Sequence, residues 1–117
     1  MKKFESIELD IKYTNIDRHK CLHFIFKGRF TEKISEQACA IWRDELLKSN
    51  EEYVLIWDCL KMNGFEMAAK NVWLTTMKSV GHKIYKVIVV SDNIIIRGTA
   101  RLMLKIFSFK SEIVKSL

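Results

Sequence analysis

The chain has 117 residues, 49% of them apolar and 29% charged, which is the size and composition of one soluble domain with one hydrophobic core. It has no proline, no Gly/Ser linker and no low-complexity tract, so a single domain over residues 1–117 is expected. The net charge is +6, from 20 basic and 14 acidic residues. Those charges alternate through much of the chain without a basic block, and the aromatic-plus-basic signature of an RNA-binding strand is missing, which argues against nucleic acid as a partner.

Cys21, Cys39 and Cys59 are an odd set of cysteines with wide spacing, matching neither a disulfide framework nor a zinc ribbon, and a reducing compartment is expected. The first residues, MKKFESIELD, meet acidic side chains at once instead of an apolar run, unlike a secretory signal. The longest apolar stretches, such as VIVV at 87–90, fall far short of the ~20 residues that cross a bilayer. These features predict a soluble, cytoplasmic chain without a transmembrane segment, with weak contact to an anionic surface left open.

Residues 5–13 alternate, with Ile7, Leu9, Ile11 and Tyr13 on one side and Glu8, Asp10 and Lys12 on the other, the pattern of a half-buried strand. Turn chemistry follows in NIDR at 15–18, and CLHFIFKG then reads as a second strand ending at Gly28, which predicts a hairpin. From Thr31, an N-cap candidate, the period becomes helical, with Ile34, Ala38, Ile41, Trp42 and Leu46 on one face and Asn50 as the stop.

YVLIWD at 53–58 is apolar on both faces and predicts a central parallel strand. Gly64 then opens a second helix with Phe65, Ala69, Val72, Trp73 and Thr76 inward, closed by Gly81. A strand at 86–91 leads to Asp92, a cap for a third helix with Ile95, Thr99, Leu102 and Ile106 inward. FSFKSEIVKSL closes the chain as an edge strand. The order ββαβαβαβ predicts an α/β fold with a mixed sheet of four to five strands and helices mainly on one face. Ligands of such sheets sit at the carboxyl ends of the parallel strands, which points to residues 58–64 and 91–93.

The stretch VLIWDCLKMNGFE, with GRF at 28–30 ahead of the first helix, resembles STAS domains, the fold of sulfate-transporter tails and anti-sigma-factor antagonists. As topology the resemblance covers nearly the whole chain; as a residue motif it is confined to 55–65. It implies helices on one side of the sheet and a function in regulated protein–protein contact. Asp58 matches the family's strand-end Asp, Gly64 its Gly and Phe65 its apolar position. The phosphate-accepting Ser or Thr has no counterpart, because Cys59, Leu60, Lys61, Met62 and Asn63 fill the interval, so the resemblance does not extend to a phosphorylation switch.

A helix N-terminus near Gly64 would expose unpaired amides able to receive an anion or a carboxylate, unless Asp58 or Asn63 caps it internally. His19, Cys21 and His23 share one strand face and are zinc-ligand types, but no fourth ligand accompanies them. Cys59 near a helix start is a nucleophile candidate, with a small buried thiol as the alternative. Arg97, Arg101 and Lys105 form a basic stripe on the third helix, with Ile94 and Leu104 on that side. Met67 and Leu74 point away from the inward face of the second helix.

The leading expectation is therefore a non-enzymatic regulatory or interaction module without a cofactor or metal. Its expected contact residues are Asp58, Cys59, Met62, Asn63, Gly64, Phe65, Met67, Arg97 and Arg101, and its partner a regulatory protein or a second copy in a homodimer. A small-molecule or lipid carrier is the alternative, which calls for a cavity of roughly 300 Å³ or more beneath Leu60 and Phe65. An enzyme using Cys59 is the third reading; no common catalytic motif is present.

Overall fold

The chain makes a tight two-residue reversal at Asp17 and Arg18, both with positive φ (51° and 67°). This left-handed pair suits the right-handed twist of a two-residue hairpin. In the computed structural model, which describes residues 4–117, that turn joins β2 (Leu9–Ile16) to β3 (His19–Phe30), preceded by a short β1 (Phe4–Glu5). The first three residues of the N-terminal stretch weighed above as a leader lie outside the described residues. Beyond β3 come α1 (Glu32–Lys48), β4 (Tyr53–Phe65), α2 (Met67–Val80), β5 (Ile84–Val90), α3 (Ile94–Leu104) and β6 (Lys110–Val114).

The sheet has six strands in the order β1-β2-β3-β4-β5-β6, antiparallel as far as β3 and parallel from β3 to β6. The mixed α/β architecture agrees with expectation; the strand count exceeds the predicted four to five because Phe4 and Glu5 pair with Ile11 and Asp10. Ile7, assigned inward by alternation, lies exposed in the turn between β1 and β2, where Ser6 bonds back to Leu9.

Buried side chains of all three helices join one core with Leu22, Phe24, Leu55, Trp57, Val87 and Val89 of the sheet, which places the helices on one face. Trp73 of α2 is the hub: its ring lies 5.2 Å from Phe24, 5.5 Å from Phe26 and Trp42, 5.7 Å from Phe30 and 6.1 Å from Trp57. Most of these pairs are edge-to-face, the arrangement favoured by ring quadrupoles. The indole N–H groups of Trp42, Trp57 and Trp73 are buried without a hydrogen-bond acceptor among the described residues.

Among the described residues, the opposite face carries no helix. Cys21, Val54, Ile56 and Val90 are nevertheless buried there, because longer neighbours fold over them. His19 stacks on Tyr85 at 4.1 Å, and Lys110 Nζ sits 5.1 Å from the same ring. Lys27–Asp10 and Lys86–Glu112 pairs, at 3.0 and 2.6 Å, cover the flanks. His19, Cys21 and His23 thus serve this packing: the His19 ring lies against Tyr85 and the Cys21 thiol is buried.

The third helix departs from its sequence reading in phase. Its buried residues are Ile96, Ala100 and Leu104, while Ile95 and Leu102 are 71% and 70% exposed. Its cap is Asn93, whose Oδ1 accepts from the amides of Ile95 and Ile96 at 2.9 and 3.1 Å, in place of the predicted Asp92. That one-residue displacement turns a helix by about 100° and exchanges one apolar stripe for another.

Candidate functional site

Residues 58–65 are not a loop. β4 continues to Phe65 because β3 continues beside it, pairing Lys27 with Lys61, Gly28 with Met62, Arg29 with Gly64 and Phe30 with Phe65. Since β5 stops opposite Asp58, this stretch stands beyond β5 as a two-stranded parallel ribbon. Two register shifts, each leaving one extra residue on β4, bend it. Gly28, with φ of 63°, supplies a left-handed residue in the ribbon that a side chain would oppose.

Strand geometry divides the predicted contact residues. Asp58 faces the helix-free side: its Oδ1 accepts from the Leu60 amide at 3.1 Å, and its Oδ2 stands 3.6 Å from His23 Nε2, ion-pair distance but too long for a hydrogen bond. Cys59 faces the helices and is buried. Burial and then the charge of Asp58 push its thiol up to about 12, so it is protonated at neutral pH, opposite to an activated nucleophile. Gly64 does not open a helix; Arg29 Nη1 lies 3.3 Å from where its Cβ would stand.

The start of α2 is also built differently. Neither Asp58 nor Asn63 caps it, and Glu66 at the N-cap position makes no side-chain bond to its own helix. The Glu66 amide donates to Phe30 O at 2.9 Å, and its Oε1 accepts from the Glu32 amide at 2.7 Å. Glu66 thereby helps cap α1, alongside Thr31, whose Oγ1 accepts from Ile34.

On the helix side, α1 and α2 lie together, joined by Ser35 Oγ donating to Ala69 O at 3.2 Å, whereas α3 packs toward β6. The separation of α2 from α3 leaves a cleft. Trp57, Cys59 and Val89 line it from the sheet, Ala69, Lys70 and Trp73 from α2, and Ile96, Thr99, Ala100 and Met103 from α3; Met62 and Phe65 of the ribbon also line it. The open cavity holds about 70 Å³, well below the roughly 300 Å³ expected of a small-molecule site.

Of the predicted residues, the structure brings Cys59, Met62 and Phe65 together here. Met67 is 62% exposed on the first turn of α2, and Asn63 is exposed on the ribbon. Leu74, expected outward, is half-buried. Arg97 is drawn back to the end of β5, where its Nη1 donates to Ser91 O at 2.8 Å, so the basic stripe reduces to Arg101 and Lys105. Leu104, expected outward, is buried. Sequence reasoning missed Lys70, Ile96, Thr99, Ala100 and Met103; the signal available was the second apolar series of α3, at positions 96, 100, 103 and 107.

Four large aliphatic residues on or beside α3 remain in solvent: Ile94, Ile95, Leu102 and Ile106, the first and last at 84% and 58% exposure. Arg101 and Lys105 of α3 line a groove toward β6 together with Glu112. From Met67 to Ser111 the only acidic residue is Asp92, and Lys70, Arg101 and Lys105 form no ion pair among the described residues. The basic excess that looks dispersed along the sequence is therefore concentrated in the C-terminal half. No described helix is long and apolar enough to cross a membrane.

No family model matches the chain, and no curated protein matches it in sequence. Its fold does match solved structures. One is an uncharacterized protein of the DUF3478 family, with a SpoIIAA-like fold, from Shewanella loihica PV-4: TM-score 0.75, 14% identity, covering 99% of this chain and 93% of that one. At that identity the likeness concerns fold alone, and it agrees with the STAS resemblance read from the topology: the chain has a SpoIIAA-like, STAS-like fold.

Proposed function

We propose that this protein is a non-enzymatic binding module that docks a partner protein in the cleft between α2 and α3, with the adjoining face of α3 as the rest of the contact. The observation that carries this reading is the cleft: an open, apolar recess of about 70 Å³ beside exposed Met67, Ile95, Leu102 and Ile106. Its size suits one inserted side chain rather than a carried ligand, and burying one Leu or Phe there contributes about 1.5–3 kcal/mol. Surrounding aliphatic residues would exclude water from that anchor, the usual anatomy of an interface hot spot. In this reading Met62 and Phe65 act as one wall of the recess, while Asp58 has a structural role on the opposite sheet face.

The test is site-specific photocrosslinking in the native cells, with a benzophenone amino acid at position 102 and, as control, at exposed Glu36 on α1. A discrete protein adduct from 102 and none from 36 is expected. A folded variant that yields no protein adduct from 102 would rule the reading out.

A further inference from the structure

Resting on the docking reading above, we infer that the occupant is an extended segment of a partner protein, which adds a strand to the open edge of β4 at residues 62–65 and seats one apolar side chain in the recess.

β4 offers a backbone edge without a partner. β5 pairs with it no further than Asp58, opposite Val90. The chain then turns toward β6, where the Ser91 amide donates to Val114 O at 2.9 Å, so among the described residues no strand continues the lane beside residues 59–65. Hydrogen bonds within the ribbon reveal which groups face that lane. The Lys27 amide donates to Glu8 O at 2.8 Å, toward β2, so in the Lys27–Lys61 pair it is Lys61 that faces β3, and Met62 faces the open side. At the far end the Glu66 amide donates to Phe30 O, so Phe65 faces the open side as well. Asp58 occupies the Leu60 amide, whereas no hydrogen bond among the described residues reaches the peptide groups of Met62 and Phe65 from that side.

The side chains of the same two residues form a wall of the recess. A strand laid along them therefore finds backbone partners, and its alternate side chains point toward the recess. A helix satisfies its backbone internally and would leave this edge unpaired. A second copy matches less well, because its own Met62 and Phe65 are already turned into its own recess. Exposed Lys61 and the two register shifts also oppose edge-to-edge pairing of like strands.

The experiment selects peptides from a random phage-displayed library on the full chain, then follows amide hydrogen exchange of the isotopically labelled protein with an enriched peptide bound. Exchange at Met62 and Phe65 is expected to slow by about ten-fold or more, as the added strand takes up these amides. Backbone N-methylation of the peptide should weaken binding by about ten-fold or more at alternate residues and little between them, since every second peptide N–H of the added strand faces β4. No enrichment, an enriched peptide that protects neither amide, or N-methylation without that alternation overturns the inference. So does a peptide that becomes helical on binding, read by circular dichroism. A dimer in sedimentation velocity whose Met62 and Phe65 amides are protected without peptide would overturn it too, and would assign the edge to a second copy. The two levels fail separately: a protein adduct from position 102 without protection at Met62 and Phe65 removes only the strand inference, and absence of the adduct removes the docking reading beneath it.

Discussion

The carboxylate of Glu66, at the threshold of α2, accepts a hydrogen bond from the backbone amide of Glu32 at the start of α1. Residues 34 positions apart meet because β3 and β4 run parallel to the same endpoint, where Phe30 pairs with Phe65, and each releases its helix two residues later. The carboxylate satisfies an amide that the first turn of a helix leaves without an intrahelical partner.

Glu66→Ala should therefore destabilise the protein by about 1 kcal/mol, as the loss of a capping interaction does. Glu66→Gln, which retains an oxygen acceptor, should recover part of that loss. Urea unfolding of the three proteins decides the matter: equal stability of wild type and Glu66→Ala would mean that solvent serves the Glu32 amide equally well.

Cys39 and Cys59 make stability fall in alkali. Burial holds both thiols up to about 12, with the Asp58 charge adding to the effect at Cys59. The unfolded thiols titrate near ~8.5, so between these values the folded chain binds more protons than the unfolded one. The contribution is complete below pH ~8.5 and is lost as pH rises toward 12, by about 1 kcal/mol per pH unit for each thiol. Comparing urea midpoints near pH 8 and pH 10.5, Cys59→Ala should show a shallower decline than wild type. Parallel declines would remove Cys59 from the explanation. In the wild-type protein, iodoacetamide should modify Cys59 more slowly than free cysteine at neutral pH, and rapid labelling would reopen the nucleophile reading.

The phase of α3 is open to a paired substitution. Leu104, buried against the sheet, should cost about 2–5 kcal/mol as Leu104→Ala. Leu102→Asp, at a site 70% exposed, should change stability by no more than about 0.5 kcal/mol. The reverse ranking in thermal or urea unfolding would mean that the helix packs by the face first read from the sequence.

Much of the architecture was legible because local patterns coincide with what the tertiary structure uses. The alternation of Leu9 and Ile11, the NIDR turn, the Thr31 cap and the unbroken apolar run at 53–58 each have one reading that satisfies both burial and hydrogen bonding, and the structure adopts it. The STAS-like topology follows from the order of those elements.

What the sequence left undetermined were choices between locally equivalent alternatives. Residues 59–65 carry Leu60, Lys61, Met62, Asn63 and Gly64, a composition suited to a loop; only the extension of β3 alongside makes them a strand, because pairing supplies the backbone partners that a loop would take from water. In α3, the series 95, 99, 102, 106 and 96, 100, 103, 107 are both largely apolar, and a helix by itself has no means to rank them. Capping by Asn93 and packing over the sheet place the second series inside and leave Ile95 and Leu102 in solvent. Local sequence thus determined which segments are helix and strand, while the tertiary structure decided which faces they present, since burial is a relation between elements rather than a property of one.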